Sequence, residues 1–169
     1  GNLAVSGTWQ SAGNSTVVMK TDLATIDTTA GLGSLTIDPG ALKTVKLSGS
    51  DLPMDGDLLV STGSLDLNGK NLTMTGSAQL SGTVTNTGAS AVFDASAGTQ
   101  TLAGTTSITT NGGDIRLGSV TGAHGLSLTG GTGAVSASGA IGTVALTSLA
   151  VVSSGTTSLK ELNKVTFVE

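Results

Sequence analysis

The sequence predicts an all-β protein folded as a parallel β-solenoid, a coil in which each turn pairs with the turns above and below it. Three observations lead to this prediction. Apolar residues alternate with Ser, Thr and Gly at the strand period of two, as in Ile115/Leu117 and Leu126/Leu128. Related residues recur about 20 positions later, as Ile108 does at Leu128. Aromatic residues make up only 2% of the chain, which suits a narrow interior filled by small aliphatic side chains.

The repeat sets the expected number of turns. A spacing of 20 also relates Ile115 to Val135, Leu126 to Leu146 and Leu47 to Leu67. Over 169 residues, this period predicts about eight rungs of roughly 20 residues. We expect one solenoid domain over 1–169, with 1–30 as an N-terminal cap or the first rungs and 160–169 as a C-terminal terminal strand.

The first third of the chain contains short apolar segments that are typical of strands. Two of them are Leu3–Val5 and Thr16–Met19. For Thr16–Ile26 the alternative is a short helix capped by Asn14 or Ser15, which the many β-branched residues disfavour. Alternating strands are then predicted around residues 35–37, 45–47, 58–60, 65–67 and 72–74.

Turn residues separate these predicted strands. The dipeptide Asn68-Gly69 suits the tight turn of a β-hairpin. In a solenoid the same dipeptide forms a corner between two sides of one rung, and the period of 20 favours the corner. The period is less regular between Gln79 and Gly112, which predicts a longer or bulged rung there.

Composition excludes several classes of function. The net charge is −4, only 11% of residues are charged, and no basic stripe is present, so nucleic acid and anionic membrane surfaces are not expected partners. No run of 18 apolar residues appears, so membrane insertion is not expected. The chain has no cysteine, which excludes disulfides and cysteine-ligated metals.

Several segments resemble a known group of repeat proteins. The segments 113–122, 125–131 and 145–149, and the unit GSLDLNGKNLTMTG at 63–76, are similar to repeats of filamentous-haemagglutinin-like and autotransporter-like bacterial β-strand-repeat exoproteins. The resemblance covers about Leu35 to Leu159. It implies a right-handed parallel β-helix at the bacterial surface or outside the cell, acting as an adhesin stalk, a surface layer or a fibre.

The sequence offers no convincing catalytic set. The single histidine, His124, lies in a Gly-bearing turn without a nucleophile motif beside it. Parallel β-helices also carry polysaccharide lyases and hydrolases, which need clustered carboxylates. Asp94 and Asp114 are 20 apart and could stack on adjacent rungs, but two like charges so placed repel each other, and exposed turn positions are the preferred interpretation. We therefore predict a protein that is not an enzyme, with a carbohydrate-active enzyme as the alternative.

Only one segment resembles a metal site. Asp51, Asp55 and Asp57 form an acidic cluster with a glycine, and calcium prefers carboxylate oxygens on such a loop. The spacing of an EF-hand is absent, so an ordinary acidic turn is the preferred interpretation. No cofactor other than this weak calcium candidate is predicted.

Threonine ranks suggest a further alternative. Thr83, Thr85 and Thr87 alternate, and ranks of threonine on a flat solenoid face can order water and bind ice. Threonine is also common on the outer face of any strand, and no strict repeat of the rank on every rung appears. Ice binding is therefore kept as a minor hypothesis.

The leading hypothesis is an extracellular structural or adhesive solenoid that assembles end to end into a fibre or forms the stalk of a surface adhesin. The expected partners are other copies of the chain, joined by strand pairing at their ends, together with host or surface glycans. The predicted assembly residues lie in apolar strands near the two termini: Leu3, Val5, Val165, Phe167 and Val168.

Overall fold

The computed structural model describes residues 1–5 and 15–163, and within those ranges it contains strands and turns but no helix. Alternation of inward apolar and outward polar residues gives short strands, and Gly, Asn and Asp separate them. In chain order the strands are β1 (Leu3–Val5), β2 (Thr16–Met19), β3 (Thr25–Thr28), β4 (Ser34–Ile37), β5 (Thr44–Leu47), β6 (Leu52–Met54), β7 (Leu58–Val60), β8 (Ser64–Asp66), β9 (Leu72–Met74), β10 (Ala78–Leu80), β11 (Thr83–Thr85), β12 (Phe93–Leu102), β13 (Thr106–Thr109), β14 (Ile115–Thr121), β15 (Gly125–Gly131), β16 (Val135–Ile141), β17 (Ser148–Ser153) and β18 (Thr157–Leu162).

Every strand pair is parallel, and the strands stack into a β-solenoid, which confirms the predicted fold class. The first sheet has the order β1-β3-β5-β8-β11-β13-β15-β17. The second sheet has the order β2-β4-β7-β10-β12-β14-β16-β18. The coil makes about seven turns spaced by about 21 residues, close to the predicted eight rungs of 20. The right-handed sense implied by the family resemblance stays a prediction.

In the described part of the coil, each turn from Leu32 onward has three sides. The third side begins with a bridge between Leu32 and Met54 of β6, continues with the pair β6–β9, and then with the pairing of β9 and the first residues of β12. The long strands β12, β14 and β16 each extend over two sides, the third side and the second sheet. An irregular corner in the middle of each strand separates the two parts. Phe93, for example, pairs with Ile115 before the corner, and Thr99 pairs with Ser119 after it.

The core is a set of columns of inward-facing aliphatic side chains. In the first sheet, Leu65 pairs with Val45 on one side and Val84 on the other, and all three are buried. The column continues through Ile108 and Leu128. Each residue of such a column contacts mainly its neighbours one rung away, so the coil is stabilised rung by rung.

The strand interpretation of the N-terminal third is confirmed, and the helix alternative for Thr16–Ile26 is wrong. β2 pairs with β4, and β1 pairs with β3 in the first sheet. Residues 1–5 and 15–30 therefore form the first rungs, while residues 6–14 lie outside the described ranges. Asn68 and Gly69, with φ angles of 49° and 77°, form a corner and not a hairpin turn, because β8 and β9 on either side of them do not pair with each other.

The pairing register confirms part of the predicted period of 20 and corrects the rest. Ile108 pairs with Leu128 and Ile115 with Val135, as predicted. Leu126 pairs with Leu149, not Leu146, because the corner before β17 is longer.

A bulge between β12 and β14 is the clearest departure from a constant repeat. Ala95 pairs with Leu117 and Thr99 with Ser119, so three residues of β12 oppose a single residue, Gly118. The buried Gln100 satisfies this bulge: its amide donates to the carbonyls of Ala95 (2.7 Å) and Gly98 (3.1 Å). Its side-chain oxygen accepts the Gly118 N–H at 2.9 Å. The irregular rung predicted between Gln79 and Gly112 is therefore present, and the Gln100 side chain makes hydrogen bonds to backbone groups at its bulge.

Candidate assembly surface at the C-terminal end of the coil

The core columns become exposed at the last described rung. Leu162 in β18 is 48% exposed, whereas Ile141, its partner one rung earlier, is fully buried. Leu149, Val151 and Leu159 repeat this pattern: each is half-buried and packs against the core, and each has a buried partner in the previous rung. These four residues form what we call the end face. The described part of the chain places no further rung over them.

β17, which carries Leu149 and Val151 of the end face, is the last strand of the first sheet, and its outer edge is unpaired within the described residues. β17 has the sequence SLAVVS and carries no charge, proline or glycine, which are common means of blocking such an edge. Val152 points outward from it and is 60% exposed. Exposed backbone donors and acceptors beside apolar side chains are the features that allow another strand to be added.

The N-terminal end of the coil presents a related edge. β1 and β2 are the outermost strands of the two sheets. Leu3 and Val17 are half-buried, whereas their partners Ile26 and Leu35 are buried. Val5 lies in β1, where its backbone pairs with Thr28. The other predicted assembly residues, which are Val165, Phe167 and Val168, lie outside the described residues.

The aspartates of the predicted calcium site bind the neighbouring rung and do not converge. The Asp51 carboxylate accepts the Asn71 N–H and side-chain amide, both at 2.9 Å. The Asp57 carboxylate accepts the Ser77 N–H at 2.8 Å. Among residues 1–5 and 15–163, no group of three acidic, His or Cys side chains is close enough to hold a metal ion. The structure therefore gives the calcium candidate no support from geometry.

These contacts belong to a set of side-chain ties between rungs. Each tie is a hydrogen bond in which a side-chain oxygen on one rung accepts a backbone N–H of the following rung. Along one corner, Ser34 accepts the Asp57 N–H (3.0 Å), Asp57 accepts that of Ser77, and Ser77 accepts that of Thr99 (3.3 Å). Corner N–H groups would otherwise lack a ladder partner, so these ties satisfy the backbone. Asp and Ser therefore serve the coil itself at these positions.

Asp94 and Asp114 do not stack on each other, because the bulge shifts the register by two residues. Asp94 pairs with Arg116 in the strand ladder, so it lies in a strand and not in the predicted exposed turn. The Arg116 guanidinium contacts Asp94 at 3.3 Å and Asp114 at 2.8 Å. Partial burial opposes ionisation of Asp94, but hydrogen bonds from Ser96 and Arg116 outweigh it and lower its pKa. The Ala134 N–H and Arg116 lower the pKa of Asp114.

Among the described residues, Asp66 is the aspartate with a buried side chain. It is 1% exposed, and it accepts the Thr87 hydroxyl at 2.6 Å and the backbone N–H groups of Thr87 and Asn68 at 2.9 Å each. Lys46 lies 3.4 Å away on the previous rung. Burial opposes ionisation, but these hydrogen bonds and the lysine outweigh it and lower the pKa of Asp66. The spacing of 20 between Lys46 and Asp66 is a sequence signal that could have revealed this pair.

The outer surface of the first sheet is lined by hydroxyl groups. Ser107 pairs with Ser127 and Thr109 with Thr129, while Thr83 and Thr85 flank the adjacent inward residue of β11. The six side chains form two ranks over three rungs, about 4.8 Å apart between rungs and about 6.6 Å apart along each strand. The rank formed by Thr83, Ser107 and Ser127 lines a shallow groove that extends to Ala150. His124 lies apart from these ranks, in the turn that precedes β15.

Comparisons with known proteins find no match: no protein-family model, no curated protein and no solved structure is similar to this chain. In the described ranges, no helix is both long and apolar enough to cross a membrane. The fold and the end face together define the class, which is a parallel β-solenoid repeat protein with an apolar, unpaired edge at the C-terminal end of its described coil.

Proposed function

We propose that this protein is a structural or adhesive β-solenoid that associates through the ends of its coil, as a fibre or as the stalk of a surface adhesin. The end face carries this proposal. It joins incompletely buried aliphatic side chains to an uncharged strand edge, and covering it would bury columns that are already buried in the interior rungs. The extracellular or bacterial-surface location and the binding of glycans are proposed from the family resemblance alone.

Electron microscopy of the purified protein at several concentrations tests the proposal. We expect rods that lengthen with concentration in steps of one subunit, where a subunit of about seven turns is roughly 35 Å long. Particles that stay one subunit long at every concentration would overturn the proposal.

A matched pair of variants assigns the association to the end face. Leu159→Asp places a charge on the end face, whereas Ser158→Asp places it on the exposed outer surface one residue away. We expect the first variant to remain a single subunit and the second to assemble like the wild type. Leu162→Asp is a second end-face variant at a more exposed position, and circular dichroism shows that each variant keeps its β structure. Assembly of both end-face variants would remove the end face from the proposal.

The carbohydrate-active alternative is less well supported by the site chemistry. Glycoside hydrolysis needs a carboxyl group that stays protonated and acts as the acid. The pKa values of Asp94 and Asp114 are both lowered, so the two groups are ionised together and paired with Arg116. Loss of glycan depolymerisation in an Asp94→Asn variant would revive this alternative.

The hydroxyl ranks support ice binding as a second candidate function. An array of hydroxyl groups in strand register over three rungs is more ordered than the sequence pattern predicts. Thermal hysteresis of the wild type tests this function. Thr109→Tyr, within the ranks, should abolish hysteresis, whereas Thr101→Tyr, on the exposed face of the second sheet, should leave it unchanged. A wild-type solution without hysteresis would end this candidate.

A further inference from the structure

The three-sided shape of the coil restricts how two copies can meet, and this restriction rests on the proposed end-to-end association. Consider two copies that meet at their C-terminal ends, related by a two-fold axis perpendicular to the coil. Such an axis can place β17 against β17, but it exchanges the other two sides. β18 would then face the wrong side of its partner, and the strands would meet antiparallel. Only translation along the coil places all three sides in register.

We infer that the end face receives the N-terminal end of a second copy, head to tail, with β17 beside β1 and β18 beside β2. All four strands then run parallel to their new neighbours, like every pair already present in the coil. Because the contact joins two different surfaces, it repeats without closing and produces an open fibre of uniform polarity.

The side chains at the two ends fit this arrangement. β1 has the sequence LAV and, like β17, carries no charged residue. Leu3 and Val17 at one end, and Leu149 and Val151 at the other, are half-buried aliphatic residues of the inward columns. Joining the ends would continue these columns from one copy into the next. A shift of one residue would turn apolar side chains outward, so the register is fixed to within steps of two residues.

Cysteine cross-linking tests the orientation, because the chain contains no cysteine of its own. Val152 points outward from β17, and Asn2 and Ala4 are exposed at β1. Neighbouring parallel strands lie about 4.8 Å apart, within the Cα separation of about 4.4–6.8 Å that a disulfide needs. We expect mild oxidation of Val152→Cys mixed with Ala4→Cys or Asn2→Cys to give disulfide-linked pairs, and the reacting partner reports the register.

The single variants and a mid-coil variant provide the controls. Val152→Cys alone and Ala4→Cys alone should stay uncross-linked, and so should Val152→Cys mixed with Thr73→Cys, which lies on the third side. Cross-linking of Val152→Cys with itself, but not in the mixture, would overturn the head-to-tail inference and leave the proposed association intact. Absence of cross-links together with a single-subunit mass in light scattering at every concentration would overturn both.

Discussion

The last rung and the rung before it have similar sequences and different environments. β15 and β17 pair residue by residue, with Leu126 opposite Leu149 and Leu128 opposite Val151. In β15 both leucines are buried, whereas their partners in β17 are half-buried. In a solenoid, burial of an inward residue requires a neighbour on both sides along the coil, in addition to the other sides of its own rung.

Polar groups show the same contrast between the interior and the end. All the buried polar side chains of the described coil lie between Thr28 and Thr110, and the two rungs at the C-terminal end contain none. The interior therefore combines aliphatic columns with fixed hydrogen bonds. In the last described rung the inward columns end in the aliphatic side chains of the end face, which suit a dry contact with another copy, whereas its charged residues Lys160 and Glu161 are exposed.

Replacing the paired column residues by alanine should give the largest difference between the two rungs. Leu128→Ala opens a cavity between Ile108 and Val151, its neighbours in the column, and should lower the free energy of unfolding by about 3–4 kcal/mol. Val151→Ala removes a half-covered side chain and should cost about 1 kcal/mol. Urea unfolding of dilute, unassembled protein measures both values. If both variants lost the same free energy of unfolding, the side chains of the last rung would be as well buried as those of the interior. Under assembling conditions, the cost of Val151→Ala should rise.

Removing the buried charge tests the polar contribution of the interior rungs. Asp66→Asn loses the charge-assisted bonds from Thr87 and Asn68 and should cost about 2 kcal/mol at neutral pH. Because the pKa of Asp66 is lowered on folding, its stabilisation is complete above the unfolded value of 3.8 and is lost as the pH falls toward the folded value.

The pH dependence of the free energy of unfolding distinguishes the contribution of Asp66 from the loss of stability that acid causes through other groups. Denaturant unfolding at pH 7 and at several acidic values should show that Asp66→Asn flattens the loss of stability below pH 3.8. The exposed Asp55 provides the control, and Asp55→Asn should leave the free energy of unfolding at pH 7 near that of the wild type. An unchanged acid profile in Asp66→Asn would contradict the assignment.

A corner tie should contribute less than the buried charge. Asn71 accepts the Val92 N–H at 2.8 Å and donates to Asp51 on the previous rung, so Asn71→Ala should cost about 1–2 kcal/mol. Thr156 lies at a corner beside the last rung and is exposed, and Thr156→Ala should change the free energy of unfolding by less than about 0.5 kcal/mol. Comparable losses in thermal or urea unfolding would mean that corner ties do not distinguish the interior from the end.

The period of two and the repeat of about 20 predicted the fold because a parallel coil imposes both on its sequence. Inward residues must alternate, and related residues must recur once per turn. Column pairs such as Ile108/Leu128 were therefore readable directly. The pairing partners of Leu126 and Asp94 could not be predicted in this way, because a bulge or a long corner adds residues without changing the local alternation.

The candidate site was predictable only in part. The sequence pattern predicts the apolar terminal strand that contains Leu3, but it does not predict the half-buried state of Leu149, since the sequence around Leu149 matches that around the buried Leu126. The sequence alone does not separate structural from chemical roles for the aspartates, because their hydrogen bonds to the next rung depend on a register that the sequence leaves open. Asp51 and Asn71, at a spacing of 20, were the visible signal.

The smallest effect is expected at the exposed ion pairs of the third side. Arg116 is 47% exposed, so Arg116→Ala should cost about 0.5–1 kcal/mol at low salt and less at high salt. Ser158→Ala on the same side of the last rung should have no measurable effect, which sharpens the contrast between rungs. Urea unfolding at two salt concentrations measures both. A loss above about 2 kcal/mol that salt does not reduce would contradict a surface ion pair. In that case Asp94, Arg116 and Asp114 would act as a tightly coupled unit, and the interior rungs would differ from the end by electrostatics as much as by burial.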